Sequence, residues 1–254
     1  MENANEEFSQ KREALAAGYS ASHRRVEVLS ITSYVALETI ILYRLAVNFS
    51  HGDFLLLVGG SILGFLGADF VSGFLHWAAD SWGNVEWPFI GQSLIRTFRE
   101  HHVDPKSITR HGFIETNGDI CLFALPFLFF AVCLRISSPG AYFIESFLAF
   151  QCFWGSFTNQ IHKWSHQNEV APIVRALQTA RLILPSRRHA IHHTKPFTTD
   201  YCITSGLLNG PLGTLRFFWV LEWIVHRITG AIPREDDMGH DAALALARAR
   251  GIVD

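Results

Sequence analysis

Long apolar runs broken by single charged residues, rather than amphipathic stripes, organise the first two thirds of the chain. Residues 28–47 carry only Glu38 and Arg44 as charges, and residues 54–75 carry only Asp69. Each run reaches the roughly 20 residues needed to cross about 30 Å of hydrocarbon at about 1.5 Å per residue. Two more runs, 120–136 and 141–161, are separated by Ser137, Ser138, Pro139 and Gly140, a turn cluster that makes them a hairpin. The pattern predicts four spans in two hairpins. Gly60 and Gly64, with Gly67 and Gly73 further along, are small residues that let helix backbones approach closely in lipid, and packing accounts for them.

After His166 the runs shorten. Residues 170–184 are interrupted by Arg175 and Arg181, and residues 212–228 carry Arg216, Glu222 and His226 after the Asn209-Gly210-Pro211 break. Charges recurring this often suit helices lying in the membrane interface. Residues 1–25 are polar and lack the apolar core and cleavage site of a signal peptide. Residues 233–254 are polar, then Ala/Arg-rich, and read as a tail with a surface helix. The expectation is a polar tail over 1–25, a membrane domain over 26–232 and a second polar tail over 233–254. The fold class expected is an all-α integral membrane protein of about four transmembrane helices plus interfacial helices.

Two hairpins return the chain to one side just before His76 and again just before His162. Loops on that side hold Arg96, Arg99, Lys106 and Arg110, with Lys11, Arg12, Arg24 and Arg25 in the tail, against Arg44 and Arg135 opposite. The positive-inside bias makes that side cytosolic. The protein is then multi-pass, in the endoplasmic reticulum of a eukaryote or the inner membrane of a bacterium. Trp77, Trp82, Trp87, Trp154 and Trp164 fall near the ends of spans on the same side, as an interfacial aromatic belt would.

Bulk composition agrees: mean hydropathy is +0.18, with 49% hydrophobic and 17% charged residues. A net charge of −2 leaves no basic excess for neutralising phosphates, which argues against nucleic acid as a partner. Cys121, Cys133, Cys152 and Cys202 sit in apolar stretches without a CxxC pair and read as small buried hydrophobes.

Histidine changes the picture. Of 13 histidines, nine lie between His76 and His193, as His76 with Asp80 (HxxxD), His101 and His102 (REHH), His111, His162 and His166 (HxxxH), and His189, His192 and His193 (HxxHH). Residues three and four apart share a helix face, so three of these groups can each aim side chains at one point. Neutral imidazole suits Zn, Cu, Fe and Ni, and so many candidate ligands exceed what one tetrahedral zinc uses, which makes two ions the economical count. Asp69, Asp80, Glu100, Glu115 and Asp119 supply anions, read as partners behind the ligands rather than as main ligands. His23, His51, His226 and His240 read as surface residues. For His111, alone in its loop, ligation and simple hydrogen bonding stay equally open. Glu38 and Asp69, inside spans, either serve a role or pair with a neighbouring helix.

A cluster of imidazoles at the mouth of a membrane bundle suggests a redox metal acting on lipid. Removing hydrogen from an unactivated alkyl chain exceeds what protein acids and bases can do, so metal and dioxygen must supply the oxidant. The residues alone leave oxidase, hydroxylase and desaturase open. A membrane zinc hydrolase is a rival, although signatures such as HExxH are absent. A non-catalytic metal-binding membrane scaffold is another.

Four stretches go further: residues 69–119, FTNQIHKWSH over 157–166, LPSRRHAIHH over 184–193 and YCITSGLLN over 201–209. Together they closely resemble the Kua family, the plasmanylethanolamine desaturases, and more distantly the plant phosphatidylglycerol acyl desaturases. The resemblance runs from about Asp69 to Leu221. It implies a di-iron membrane enzyme using O2 and electrons from a cytochrome b5-type donor to turn the alkyl ether of a membrane phospholipid, plasmanylethanolamine, into a vinyl ether. The family's metal histidines map to His76, His101, His102, His111, His162, His166, His189, His192 and His193, with Asp80 as the associated catalytic acid. Glu115, Asn117 and Asp119 are candidate contacts for the ethanolamine headgroup. An acyl-chain desaturase or hydroxylase is the alternative of the same chemistry. Two departures from the general acyl-desaturase pattern stand out: Phe98 occupies the position where a complete HxxHH would need histidine, and HxxxD replaces HxxxxH.

Overall fold

The structure, a computed structural model, describes residues 20–88, 91 and 95–254, so residues 1–19 of the expected tail lie outside the described residues. Every regular element among them is helical. Helix α1 is Ala21–Val47, started by the Ser20 hydroxyl accepting from the His23 amide at 3.2 Å. After one 3-10 turn comes α2, Phe54–Trp82. Then follow α3, Arg96–Val103; α4, Phe113–Cys133; α5, Pro139–Ser156; and α6, Thr158–His166. The remainder is α7, Pro172–Thr179; α8, Ser186–His192; α9, Asn209–Thr214; α10, Phe217–Thr229; α11, Glu235–Met238; and α12, His240–Ala249.

Three stretches, Ala21–Val47, His51–Trp82 and Phe113–Cys133, are long and apolar enough to cross a membrane. The fourth expected span forms as α5, which is shorter, carries Glu145 and Gln151, and packs along α2. The main helix pairs are α1 with α4, α2 with α5, and α4 with α5. Packing is inverted relative to a soluble bundle: α2 buries Gly60, Gly64, Ala68, Asp69, Ser72 and Gly73, while Leu55, Ile62, Leu63 and Phe74 face outward. Large apolar residues outside and small ones at the contacts are what lipid surroundings favour. A Cβ on Gly64 would stand 2.6 Å from the Phe147 carbonyl oxygen and 2.7 Å from the Gln151 nitrogen, so α2 meets the backbone of α5 there.

Both hairpin turns lie at the end opposite the histidines. Arg44 Nε pairs with buried Glu145 at 3.0 Å, and its guanidinium also donates to the carbonyls of Val132 and Leu134, joining the end of α1 to the turn between α4 and α5. Glu38, by contrast, is buried near Tyr34 and Cys152 with no hydrogen-bond partner for either oxygen among the described residues.

Asp69 is the anchor of a loop. Its carboxylate accepts from the backbone nitrogens of Ser205 at 2.7 Å, Gly206 at 2.9 Å and Leu208 at 3.0 Å. Asn209 closes the same loop by pairing both ways with the Cys202 backbone at 2.8 and 3.0 Å. Gly73 permits the approach, since a Cβ there would lie 2.5 Å from Cys202 Sγ. The Thr204 carbonyl then accepts from Leu184 N at 3.0 Å, fixing the strand-like entry to α8. The YCITSGLLN stretch therefore clamps α8 against α2.

Two expectations change. Trp77 is buried and donates to Glu222 at 3.3 Å instead of joining an aromatic belt. Cys133 is exposed at the end of α4 rather than buried. The helix expected after Pro233 forms as α12 and is docked on the domain: Arg234, Ala243, Ala247 and Ile252 are buried, and Arg250 pairs with Glu222.

Candidate metal centre

At about 1.5 Å per residue, His76 stands about 33 Å along α2 from Phe54, the depth at which the hydrocarbon core ends. It and Asp80, one turn on, leave the bundle on a single face. The last turn of α3 brings His101 and His102, α6 brings His162 and His166, and α8 with its C-terminal cap brings His189, His192 and His193.

These side chains sort into two groups. His101, His162, His166, His189 and His193 form one; His76, Asp80, His102 and His192 form the other; within each, the ligand atoms all lie within 4.8 Å of one another. Consecutive residues on a helix point about 100° apart. The doublets His101-His102 and His192-His193 therefore each send one imidazole to either group, and two adjacent doublets make two adjacent sites.

Nitrogen separations distinguish ion coordination from a hydrogen-bond network. His162, His166 and His189 make a triangle of Nε2 atoms with sides of 3.3, 2.8 and 2.8 Å, and His193 Nε2 lies 2.9 Å from both His189 and His101. An Nε2 carries either one proton or one lone pair, each with a single direction, so a closed triangle cannot be made of hydrogen bonds. Ligands about 2.0–2.1 Å from a shared ion stand about 2.9 Å apart at right angles and about 3.4 Å apart in a tetrahedron. The observed separations fall in that range, and the residues fit a metal ion in each group.

In the second group Asp80 Oδ2 lies 3.6 Å from His76 Nε2, 3.7 Å from His102 Nε2 and 3.6 Å from His192 Nε2. Asp80 Oδ2 thus stands level with the imidazole nitrogens, in a group that could hold an ion, rather than in a layer behind them. His192 Nδ1 donates to the Thr199 carbonyl at 2.9 Å, which leaves Nε2 with the lone pair a metal requires. Phe98, the departure from HxxHH, lies 5.0 Å from the ring of His76 and packs edge-on against it, and Phe197 stacks on His102 at 4.5 Å. Apolar faces thereby fix imidazoles whose nitrogens must stay free.

Burial lowers the pKa of every one of these histidines outside the spans. It is the leading cause for His101, His102, His162 and His189, held well below 6.5, with neighbouring imidazoles adding to it. His166 and His192 fall to about 3, and His193 to about 4, again chiefly through burial. All are neutral at neutral pH, the state that ligates metal. His166 and His193 in the five-histidine group and His102 in the other are half-buried, and the remaining members are buried.

Other expected site residues go elsewhere. His111 stands outside both groups, half-buried, with Nδ1 3.7 Å from Glu115 and its carbonyl accepting from Lys163. Asn117 is buried and donates to the Phe113 carbonyl at 2.8 Å. Asp119 pairs with His23 at 3.2 Å, so His23 is half-buried against α4 instead of a free surface residue. Asp69 serves the 201–209 loop. Sequence reasoning missed a layer behind Asp80, made of Arg99, Tyr201, Glu222 and Arg234. Tyr201 lay within a quoted motif, whereas Arg234 carried no signal at all.

A helical bundle whose outward faces are apolar and whose mouth gathers two imidazole-rich groups that could hold metal has the make-up of a membrane enzyme. The chain matches the lipid desaturase domain over residues 65–236 and belongs to that family. It is 50% identical over 242 residues to a plasmanylethanolamine desaturase of Myxococcus xanthus, covering 95% of this chain and 86% of the relative. It is 45% identical over 235 residues to plasmanylethanolamine desaturase 1 of Mus musculus, covering 88% and 85%. Chloroplastic fatty acid desaturase 4 of Arabidopsis thaliana is 33% identical over 173 residues, covering 67% of this chain and 52% of the relative. No solved structure matches.

Proposed function

We propose that the chain converts the alkyl ether of plasmanylethanolamine into the vinyl ether of a plasmalogen, at two iron ions held by the five-histidine group and by the group of His76, Asp80, His102 and His192. The observation that carries this reading is the pair of converging ligand groups in a chain half-identical to a plasmanylethanolamine desaturase. Iron of this kind supplies the activation of O2 that carbon–hydrogen cleavage needs. The balance is one O2, two electrons and two protons taken up, one hydrogen lost from the alkyl carbon beside the ether oxygen and one from the next carbon along the chain, and two waters formed. A cytochrome b5-type protein is the electron donor proposed.

The protein's own share is placement. The dry, neutral imidazoles hold the ions at the mouth of the bundle, at the depth where a lipid chain attached to an interfacial headgroup begins. Glu115, on the first turn of α4, and His111 beside it are at the same end of the bundle and are the proposed headgroup contacts, with Asn117 and Asp119 supporting that turn. The centre faces the cytosol of an endoplasmic-reticulum or bacterial inner membrane, with α5 as a fourth span.

Lipid mass spectrometry on plasmalogen-deficient cells given an alkyl-ether precursor tests this. Vinyl-ether phosphoethanolamine lipids are expected with the intact chain and absent with His192→Ala. Their absence with correctly inserted, iron-loaded protein would refute the ether assignment, and new acyl-chain double bonds would move the substrate to that class.

A further inference from the structure

The two metal groups are supported differently. The five-histidine group draws on α3, α6 and α8. Behind the group of Asp80 stands a buried cluster supplied largely by the C-terminal segment. Arg234 donates through its backbone nitrogen to the Ser81 carbonyl at 2.7 Å, one residue past Asp80. Its Nη2 donates to Glu222 Oε1 at 2.9 Å and to the Tyr201 hydroxyl. Tyr201 in turn packs its ring 6.1 Å from His76 and 5.5 Å from His192. Arg234 thus touches the helix bearing Asp80 and the aromatic ring against two of the other ligands.

Three further facts point the same way. Arg234 adopts φ 67°, a left-handed backbone that disfavours a side chain, and is 3% exposed, so packing holds it there. Its Nε and Nη1 make no hydrogen bond among the described residues, and neither does either oxygen of Asp80, on which the Arg234 and Arg99 charges act. The rest of the segment closes the cluster: Arg250 pairs with Glu222, Glu222 accepts from Trp77 at 3.3 Å and Ser81 at 3.4 Å, and Arg99 faces Asp236 at 3.7 Å and Asp237 at 3.8 Å. Four carboxylates, counting Asp80, thus stand with three guanidinium groups around this site, Asp236 and Asp237 at its exposed rim.

We infer that residues 234–252 are a strap that positions the Asp80 metal group through Arg234 and Tyr201, making occupancy of that site, but not of the five-histidine site, depend on the C-terminal segment. Arg234 is a positioning residue, reaching the ion through Asp80 and through the ring that braces His76 and His192. The inference rests on the two-metal reading above.

The test is an anaerobic titration of the metal-free, full-length protein in detergent with ferrous iron, counting ions per chain. Wild type is expected to bind two. Arg234→Gln is expected to keep the first and to weaken the second by about 10- to 100-fold, the range for groups one layer behind metal ligands. Arg234→Lys, which keeps the charge without the fork, should recover part of the loss. Arg234→Gln binding two ions with wild-type affinity overturns the strap. Should that variant lose both ions through misfolding, Tyr201→Phe decides: weakening of one ion alone supports the strap, and unchanged binding overturns it. Wild type binding a single ion overturns the two-metal reading and this inference with it.

Discussion

Each histidine of the centre, besides its proposed place at a metal, is a buried neutral group in the fold, and that burial gives the metal-free protein a pH dependence. His166 and His193 titrate at about 3 and about 4 in the folded chain against 6.5 when exposed, and His101, His102, His162 and His189 shift the same way. Below about pH 6.5 the unfolded chain binds protons that the folded one refuses, so stability rises with pH through that window. The contribution is complete above pH 6.5 and is lost as pH falls toward 4. Thermal unfolding of metal-free protein is therefore expected to shift downward between pH 6.5 and 4, and the shift should shrink in His189→Phe, which removes one titrating ring. A melting temperature flat across that window would contradict neutral burial.

At the scale of elements, the contact of α2 with α5 decides where the histidines end up, because α6 follows α5 directly and carries His162 and His166. A Cβ on Gly64 would meet backbone atoms of α5 at 2.6 and 2.7 Å, whereas a Cβ on Gly59 would meet only a phenylalanine ring carbon at 3.6 Å. Gly64→Ala should then cost about 1–3 kcal/mol, the usual range for overpacking, while Gly59→Ala stays close to wild type. Equal melting temperatures for the two variants in detergent would mean that the helices slide apart freely. The glycines were readable in the sequence as packing residues. The partner was not, since a run of small residues does not name the helix it approaches. Likewise HxxxD and HxxHH announced ligands on helix faces, but the division of each His-His doublet between two sites follows from how α3 and α8 are rotated, which no local pattern records.

For the whole molecule, the two hairpins place both short turns at one end and all ligands at the other. If the bundle spans a membrane with its centre in the cytosol, a Ser137→Cys variant in a Cys133→Ser background should react with a membrane-impermeant thiol reagent from the non-cytosolic side. Asn168→Cys, just beyond α6, should react only once the membrane is opened. The reverse pattern would invert the topology, and labelling of both in intact cells would mean that α5 does not cross.

Hydrophobic run length, the spacing of histidines and the turn cluster at Ser137 to Gly140 are local properties, and they determined the helical class, the hairpins and the eight histidines, of nine expected, that gather in the two groups. His111 shows the limit, because a lone histidine in a loop has no periodicity to say where it points. Only the tertiary structure decided that Asp80 stands among the clustered imidazoles, that Asp69 holds a loop, and that Arg234 reaches the centre from more than 150 residues beyond Asp80. Those three are long-range electrostatic choices. A buried carboxylate or guanidinium takes whichever partner the packed helices bring to it, and the chain alone does not specify that neighbour.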